Sequence, residues 1–316
     1  MLHRPIRLIG LALAMILAAV ASEAAEKAPA AGKPKTVRLL TVGNSFSQNA
    51  TRYLEDIVKA DGNILVHHRC VIGGSGFAQH MEKAQRHERD PKDKLGLYGT
   101  GMSLKQELVA EKWDFITIQQ ASFRSHDVST YRPSAKQLYD YIKKSAPGSE
   151  VVIHQTWAYR IDDPRFSVTE PKPGEPRTQK EMYDGLSQAY QTIAKELGIR
   201  RIPVGDAFYL ADTDANWGYR KDTVFDITKA RPPALPDQSH SLHMGWSWPG
   251  GSTVKPALKI DGHHANLAGE YLGACVFYEM MFGASVVGNT FNPPGLKPED
   301  VRFLQSTAHK AVEQAK

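Results

Sequence analysis

The stretch VRLLTVGNSFSQNA, Val37 to Ala50, passes from mostly apolar residues into a glycine, an amide and two hydroxyls. Its first half has the composition of a strand buried on both faces, as in a parallel sheet. Its second half is more than a turn. A reversal needs a glycine and an asparagine at most; it does not need Ser45 where the open end of a strand meets solvent.

Working outward, the chain alternates strand and helix. TVRLLTV is followed by a helical SQNATRYLEDIVKADG that stops at Gly62. NILVHHRCVIGG, DFITIQ, EVVIHQTW and RRIPVGDAF read as further strands. Between them lie helical patterns at Phe77–Glu88, Ser103–Lys112, SAKQLYDYIKKSAPG and QKEMYDGLSQAYQTIAKELG, the last closed by Gly198. NLAGEYLGACVFYEMMFG is a late helix of about five turns. Val- and Ile-rich strands separated by helices predict an α/β protein with a parallel five-stranded sheet covered on both faces. Right-handed crossovers make it doubly wound and flavodoxin-like. Two connections are long, Arg160 to Thr178 and Asp212 to Lys259. The second carries Trp217, His240, His243, Trp246 and Trp248 and reads as a binding loop.

The 316 residues are not all assigned to this sheet. A basic start followed by the apolar run Leu8–Ala21, with small residues at its end, predicts a cleavable signal peptide over residues 1–21. The run is too short to span a bilayer as a helix, which takes about 20 residues. The Ala-, Lys- and Pro-rich residues 22–35 read as a disordered spacer and 36–316 as one domain, exported to the periplasm or the cell exterior. Hydrophobic content of 41% and charged content of 23% suit an ordinary globular core. The net charge of +5 is scattered, without a basic arm or an aromatic-basic helix, which argues against a nucleic-acid partner. Cys70 and Cys275 form no metal pattern and read as buried free thiols.

In open parallel sheets, ligands bind outside the carboxyl ends of the strands. Ser45 belongs to that rim, as do Gly73, Gly74 and Gly76, Gln119, Gln120 and Ser122, and His154, Gln155 and Trp157. DGHHANLAG, just before the late helix, brings Asp261 and His264. A serine becomes nucleophilic when an imidazole accepts its proton and a carboxylate orients that imidazole. A spacing of three in a loop that opens a helix lets Asp261 turn back onto Nδ1 of His264 while Nε2 points to Ser45. Backbone N–H groups at Ser45 and in the GGSG turn, with a side-chain amide of Gln119 or Gln120, are candidate donors to a developing oxyanion. His154, Trp157, Trp246, Trp248 and Arg124 are candidate substrate contacts. No cofactor and no metal are expected, because nothing completes a ligand set around the paired histidines.

These residues resemble the SGNH/GDSL hydrolase superfamily: VGNSFS after the first strand, a glycine turn after the second, a polar amide after the third and a late D-x-x-H followed by A-N-x-x-G. The resemblance covers nearly the whole domain and implies a three-layer α/β/α fold and a secreted serine esterase. It implies Ser45 as nucleophile, His264 as base, Asp261 as orienting acid and Gly74 or Gly76 as an oxyanion donor. The substrate would be a small-molecule or glycan ester, with deacetylation of a carbohydrate as the fold-level analogy. The chain departs from the pattern twice. Asn44 stands where most members carry an aspartate, and IQQASFRS replaces the G-x-N-D block. Alternatives remain at single residues: Ser45 as a turn residue with Ser47 as helix cap, and His263 as base. A non-catalytic carbohydrate-binding protein, or a hydrolase of sulfate or phosphate esters, are the competing functions.

Overall fold

The computed structural model describes residues 33–250 and 257–316. The expected signal peptide at 1–21 and most of the spacer, residues 22–32, lie outside the described residues. The folded unit runs from Lys35 to Lys316. It therefore begins at the last residue assigned to the spacer. Lys35 is anchored, its Nζ donating to the carbonyl of Phe282 at 2.8 Å and its N–H to Asn63 Oδ1 at 2.9 Å.

The strands β1 (Thr36–Gly43), β2 (Ile64–Val71), β3 (Phe115–Ile118), β4 (Glu150–His154) and β5 (Arg201–Ile202) form one parallel sheet in the order β2-β1-β3-β4-β5. This is the doubly wound arrangement that the alternating pattern predicts. β1 sits inside the sheet, with Leu39 and Leu40 fully buried. β2 is an edge strand whose His68 and Arg69 are exposed, so its pattern is less apolar than that of the inner strands. Both cysteines are buried free thiols.

The helix expected to run from Ser47 to Gly62 is two helices, α1 (Ser45–Ala50) and α2 (Leu54–Ala60), with a turn at Thr51. Thr51 Oγ1 bonds the carbonyl of Ser47 at 2.8 Å; such back-bonding by a β-branched hydroxyl competes with helix continuation. The covering helices continue with α3 (Phe77–Arg89), α4 (Leu104–Val109), α5 (Ser134–Ser145), α6 (Gln179–Leu197), α7 (Val204–Asp212) and α8 (Leu267–Phe282). α6 is capped by the Thr178 hydroxyl and ends at Gly198, whose φ of 63° is left-handed.

Two features differ from the expectation. The second long connection is not all loop: β6 (His243–Ser247) pairs antiparallel with β7 (Lys259–Ala265) in a separate hairpin. A final helix, α9 (Pro298–Gln314), packs on α7 and α8. Its signals are in the sequence: a proline at its first turn, Glu299 and Asp300 beside it, and buried Val301, Leu304, Ala308, Ala311 and Val312 at helical spacing.

α8 is buried almost all round. At Gly273 a β-carbon would come within 2.7 Å of Ala50 Cα, so this glycine lets the helix carrying Ser45 lie directly on α8.

Candidate active site

Ser45 is the first residue of α1, immediately beyond β1, and Asn44 is its cap. The cap is Asn44 and not Ser47, because the Asn44 Oδ1 reaches the Phe46 N–H at 2.9 Å while the Ser47 hydroxyl bonds back to the Asn44 carbonyl at 2.7 Å. The rest of the Asn44 amide ties three strand ends together. Oδ1 also accepts from Gln119 Nε2 at 2.8 Å, and Nδ2 donates to the Ser75 carbonyl at 2.7 Å. Gly43 permits this packing, since a β-carbon there would meet Gln119 Oε1 at 2.4 Å.

On the facing side, Asp261 and His264 are held in β7 and not in a free loop. His264 Nε2 lies 2.9 Å from Ser45 Oγ, and its Nδ1 lies 2.8 Å from Asp261 Oδ2. Asp261 Oδ1 accepts the backbone N–H groups of His263 and His264 at 3.2 and 3.0 Å. Burial by itself raises the Asp261 pKa. The bonds from His264 and the charge of both imidazoles outweigh it and hold the carboxyl well below the usual carboxylate range. The Asp261 side chain is 37% exposed and that of His264 33%. His263 turns its Nδ1 to Asp261 as well, and among the described residues the imidazole hydrogen-bonded to Ser45 is that of His264. The geometry therefore favours His264 over His263 as the partner of Ser45.

The supports come from residues that the sequence reading missed or placed elsewhere. Trp157 is not a pocket wall. It is fully buried, stacked on Phe46 at 4.2 Å and Phe208 at 4.4 Å, with Nε1 donating to the His263 carbonyl at 2.9 Å. His154 is a core histidine: its Nδ1 meets Gln119 Oε1 at 3.1 Å, and burial pushes its pKa down to about 3. Asn49 joins α1 to the opposite wall through the Ala265 N–H and Glu270. Asn266 caps α8 and donates to the Ser241 and His243 carbonyls, clamping the hairpin. Arg160, 1% exposed, forms a two-pronged pair with Asp162 at 2.6 and 2.9 Å. Its backbone N–H reaches the Gly262 carbonyl at 2.7 Å. Asn266 is legible as the asparagine of the A-N-x-x-G block; no sequence signal marks Asn49 or Arg160.

The expected oxyanion donors divide. Gln119 spends its amide on Asn44 and His154. Gln120 spends its Nε2 on Thr130 and its Oε1 on the Ala121 N–H. Both N–H groups of Gln120 are spent on Thr130, which corrects its assignment as a donor; Gln119 is fully buried, with one N–H given to Asn44. The Gly76 N–H is taken by Gln79 Oε1 at 3.0 Å. Among the described residues, the N–H groups of Ser45 and Gly74 have no protein acceptor. Ser45 occupies the first helical position, where N–H groups have no intrahelical partner. Of the expected substrate contacts, Arg124 is exposed, with its guanidinium over the Phe123 ring. Trp246 and Trp248 are partly exposed, their indole N–H groups bound to Asp162 and the Ala234 carbonyl. A cavity of about 540 Å³ at the amino end of β5 is lined by Arg200, Glu279 and His309 and by none of these residues.

A family model described as a domain of unknown function, DUF4886, matches residues 38–224, more than half of the chain. The chain belongs to the DUF4886 family. A crystal structure of a DUF4886 family protein from Bacteroides uniformis shares 25% identity and a TM-score of 0.66, over 88% of this chain and 95% of that one. The chain is also structurally similar to SGNH/GDSL-like hydrolases. A protein provisionally described as an SGNH hydrolase, from Slackia heliotrinireducens, gives a TM-score of 0.46 at 20% identity, covering 78% of this chain and 100% of its own. A GDSL-like lipase structure from Parabacteroides merdae gives 0.44 at 14%, covering 81% and 99%. None of the curated proteins matches the sequence.

Proposed function

We propose that this DUF4886 protein is an exported serine esterase working through an acyl-enzyme. The observation that carries the reading is the continuous chain from Ser45 Oγ to His264 Nε2 and from His264 Nδ1 to Asp261, at 2.9 and 2.8 Å. Ser45 Oγ attacks the ester carbonyl carbon as its proton passes to His264 Nε2, and Asp261 stabilises the imidazolium. The N–H groups of Ser45 and Gly74 are the donors for the oxyanion. Collapse of the tetrahedral intermediate expels the alcohol, which takes the proton from His264. Water then attacks the acyl carbon with His264 as base, and free acid and Ser45 are regenerated.

The side chains of Asp261 and His264 are about one-third exposed and Ser45 is partly exposed, which suits an ester presented on a large, open substrate. The partly exposed Trp246 and Trp248 are the candidate platform for a sugar ring, so an acylated glycan is the favoured substrate. Export is supported by the basic start and apolar run of residues 1–21. Among the described residues no helix is long and apolar enough to cross a membrane. The missing G-x-N-D block, with the Gln120 amide spent on Thr130, favours one second reading, a glycan-binding protein without turnover.

Hydrolysis of chromogenic acetate, butyrate and octanoate esters by wild type and Ser45→Ala separates the two. The esterase reading expects activity that falls by roughly 10⁴-fold or more in the variant. Inactivity of wild type on every ester, or an active Ser45→Ala, overturns it.

A further inference from the structure

Asp261 serves two imidazoles, and the esterase chemistry uses only one. Its Oδ2 meets His264 Nδ1 at 2.8 Å and its Oδ1 meets His263 Nδ1 at 3.1 Å. Successive residues of an extended strand send their side chains to opposite faces. Here the two rings lie 4.2 Å apart at 45° and turn the same nitrogen toward one carboxylate. The backbone wraps around that carboxylate, whose Oδ1 accepts both histidine N–H groups. From below, the Arg160 N–H holds the Gly262 carbonyl and the Trp157 indole holds the His263 carbonyl.

One oxygen and two imidazole nitrogens lie within 4.8 Å of one another on this irregular stretch of β7. All three side chains are open to solvent, His263 at 39%. Two bonds of roughly 2.0–2.2 Å at a tetrahedral zinc ion set ligand atoms about 3.4 Å apart, so the 2.8 and 3.1 Å separations here need open by only about half an ångström to admit one. Two imidazoles and a carboxylate, with the fourth position left to water, are a donor set for a borderline divalent cation.

We propose that Asp261, His263 and His264 form a binding site for a divalent transition-metal ion of the zinc type, and that the bound ion inhibits the enzyme. The inhibitory half rests on the reading of His264 as the base; the binding half does not. A neutral imidazole carries one ring proton. In the hydrogen-bonded arrangement that proton is on Nδ1, facing Asp261, and the Nε2 lone pair faces Ser45. An ion that takes the Nδ1 lone pair sends the proton to Nε2, with no net proton released from the ring and no change of oxidation state. Nε2–H then has no lone pair to accept the Ser45 proton. The ion thus silences the base without touching the nucleophile. His263 supplies the third ligand and takes no part in ester cleavage.

The test is calorimetric titration of ZnCl₂ into the full chain as wild type, Ser45→Ala, His263→Ala and His263→Gln, with acetate-ester hydrolysis followed in parallel. Wild type and Ser45→Ala are expected to bind one ion per chain with equal affinity. Both His263 variants are expected to bind at least about tenfold more weakly, since even outer-shell losses cost that much. Wild-type hydrolysis should fall in step with occupancy and return with EDTA. Equal affinity in wild type and both His263 variants overturns the site, as does a wild-type dissociation constant above about 1 mM. Full activity at saturating zinc overturns the inhibitory role. A wild type that hydrolyses no ester but binds zinc through His263 overturns the esterase reading and leaves the metal site standing.

Discussion

Asn44→Asp exchanges one nitrogen for one oxygen at a position 2% exposed, and it restores the aspartate that GDSL-type motifs place before the serine. Two of the three bonds survive, because the retained oxygen still accepts from Phe46 and Gln119. The third reverses: an acceptor now faces the Ser75 carbonyl across 2.7 Å. The carboxyl escapes this clash by keeping a proton and donating it to that carbonyl. Holding the proton at pH 7.5, against an unfolded pKa of about 3.9, costs about 1.4 kcal/mol per pH unit, or up to about 5 kcal/mol. At pH 4.5 the same bound is about 1 kcal/mol. The sign follows from the raised folded-state pKa: the variant's stability relative to wild type is greatest below pH 4 and falls as pH rises toward that pKa. Urea unfolding of both proteins at pH 4.5 and 7.5 measures the difference. A penalty at least about 2 kcal/mol larger at pH 7.5 is expected. A penalty independent of pH, or none, would show that Asn44 does not donate to Ser75, and the argument for its role as a three-strand tie would fail.

Asp261→Asn leaves His264 without its acceptor carboxylate and is expected to lower kcat on a chromogenic acetate by about 10⁴-fold with unchanged circular dichroism; a loss below tenfold would remove Asp261 from the mechanism. Gln119→Met and Gln120→Met break internal bonds, so both should lower the melting temperature. Their kcat should fall by much less than the roughly 10²–10³-fold that loss of an oxyanion donor brings, and a fall of that size in either would reinstate the glutamine. Asp212 is nearly buried, and burial raises its pKa to about 7, opposed only in part by Gln179 and nearby arginines. A raised carboxyl pKa means stability that is full below about pH 4 and is lost as pH rises toward 7. Asp212→Asn, still accepting from Gln179, should lack this slope and be the more stable protein at pH 8. Thermal melts at pH 5 and pH 8 decide it, and parallel pH dependence in the two proteins would count against a buried Asp212 charge.

The strand and helix periods, read along the chain, were enough to specify the sheet. Parallel strands buried on both faces are dominated by apolar residues, and the centres of β1, β3 and β4 are, with Leu39, Leu40, Val42, Ile116, Ile118, Val151, Val152 and Ile153 buried. Local rules also placed the end of α6 at Gly198, where only glycine adopts the left-handed turn at no steric cost. Ser45, Asp261 and His264 were legible because each stands beside its own local signal, a strand end or a D-x-x-H spacing. What each neighbouring polar residue does was not legible. Gln119, Gln120, His154 and Trp157 all stand at strand ends and looked equally suited to the pocket, yet their partners are Asn44, Thr130, Gln119 and the His263 carbonyl. Those partners come from other strands and loops, tens to more than a hundred positions away. A buried amide or indole must bond to whatever the packing brings within about 3 Å. The sequence by itself determined which residue types reach the rim; only the tertiary structure decided which of them remain free for a ligand, because hydrogen-bond satisfaction is settled between segments and not along them.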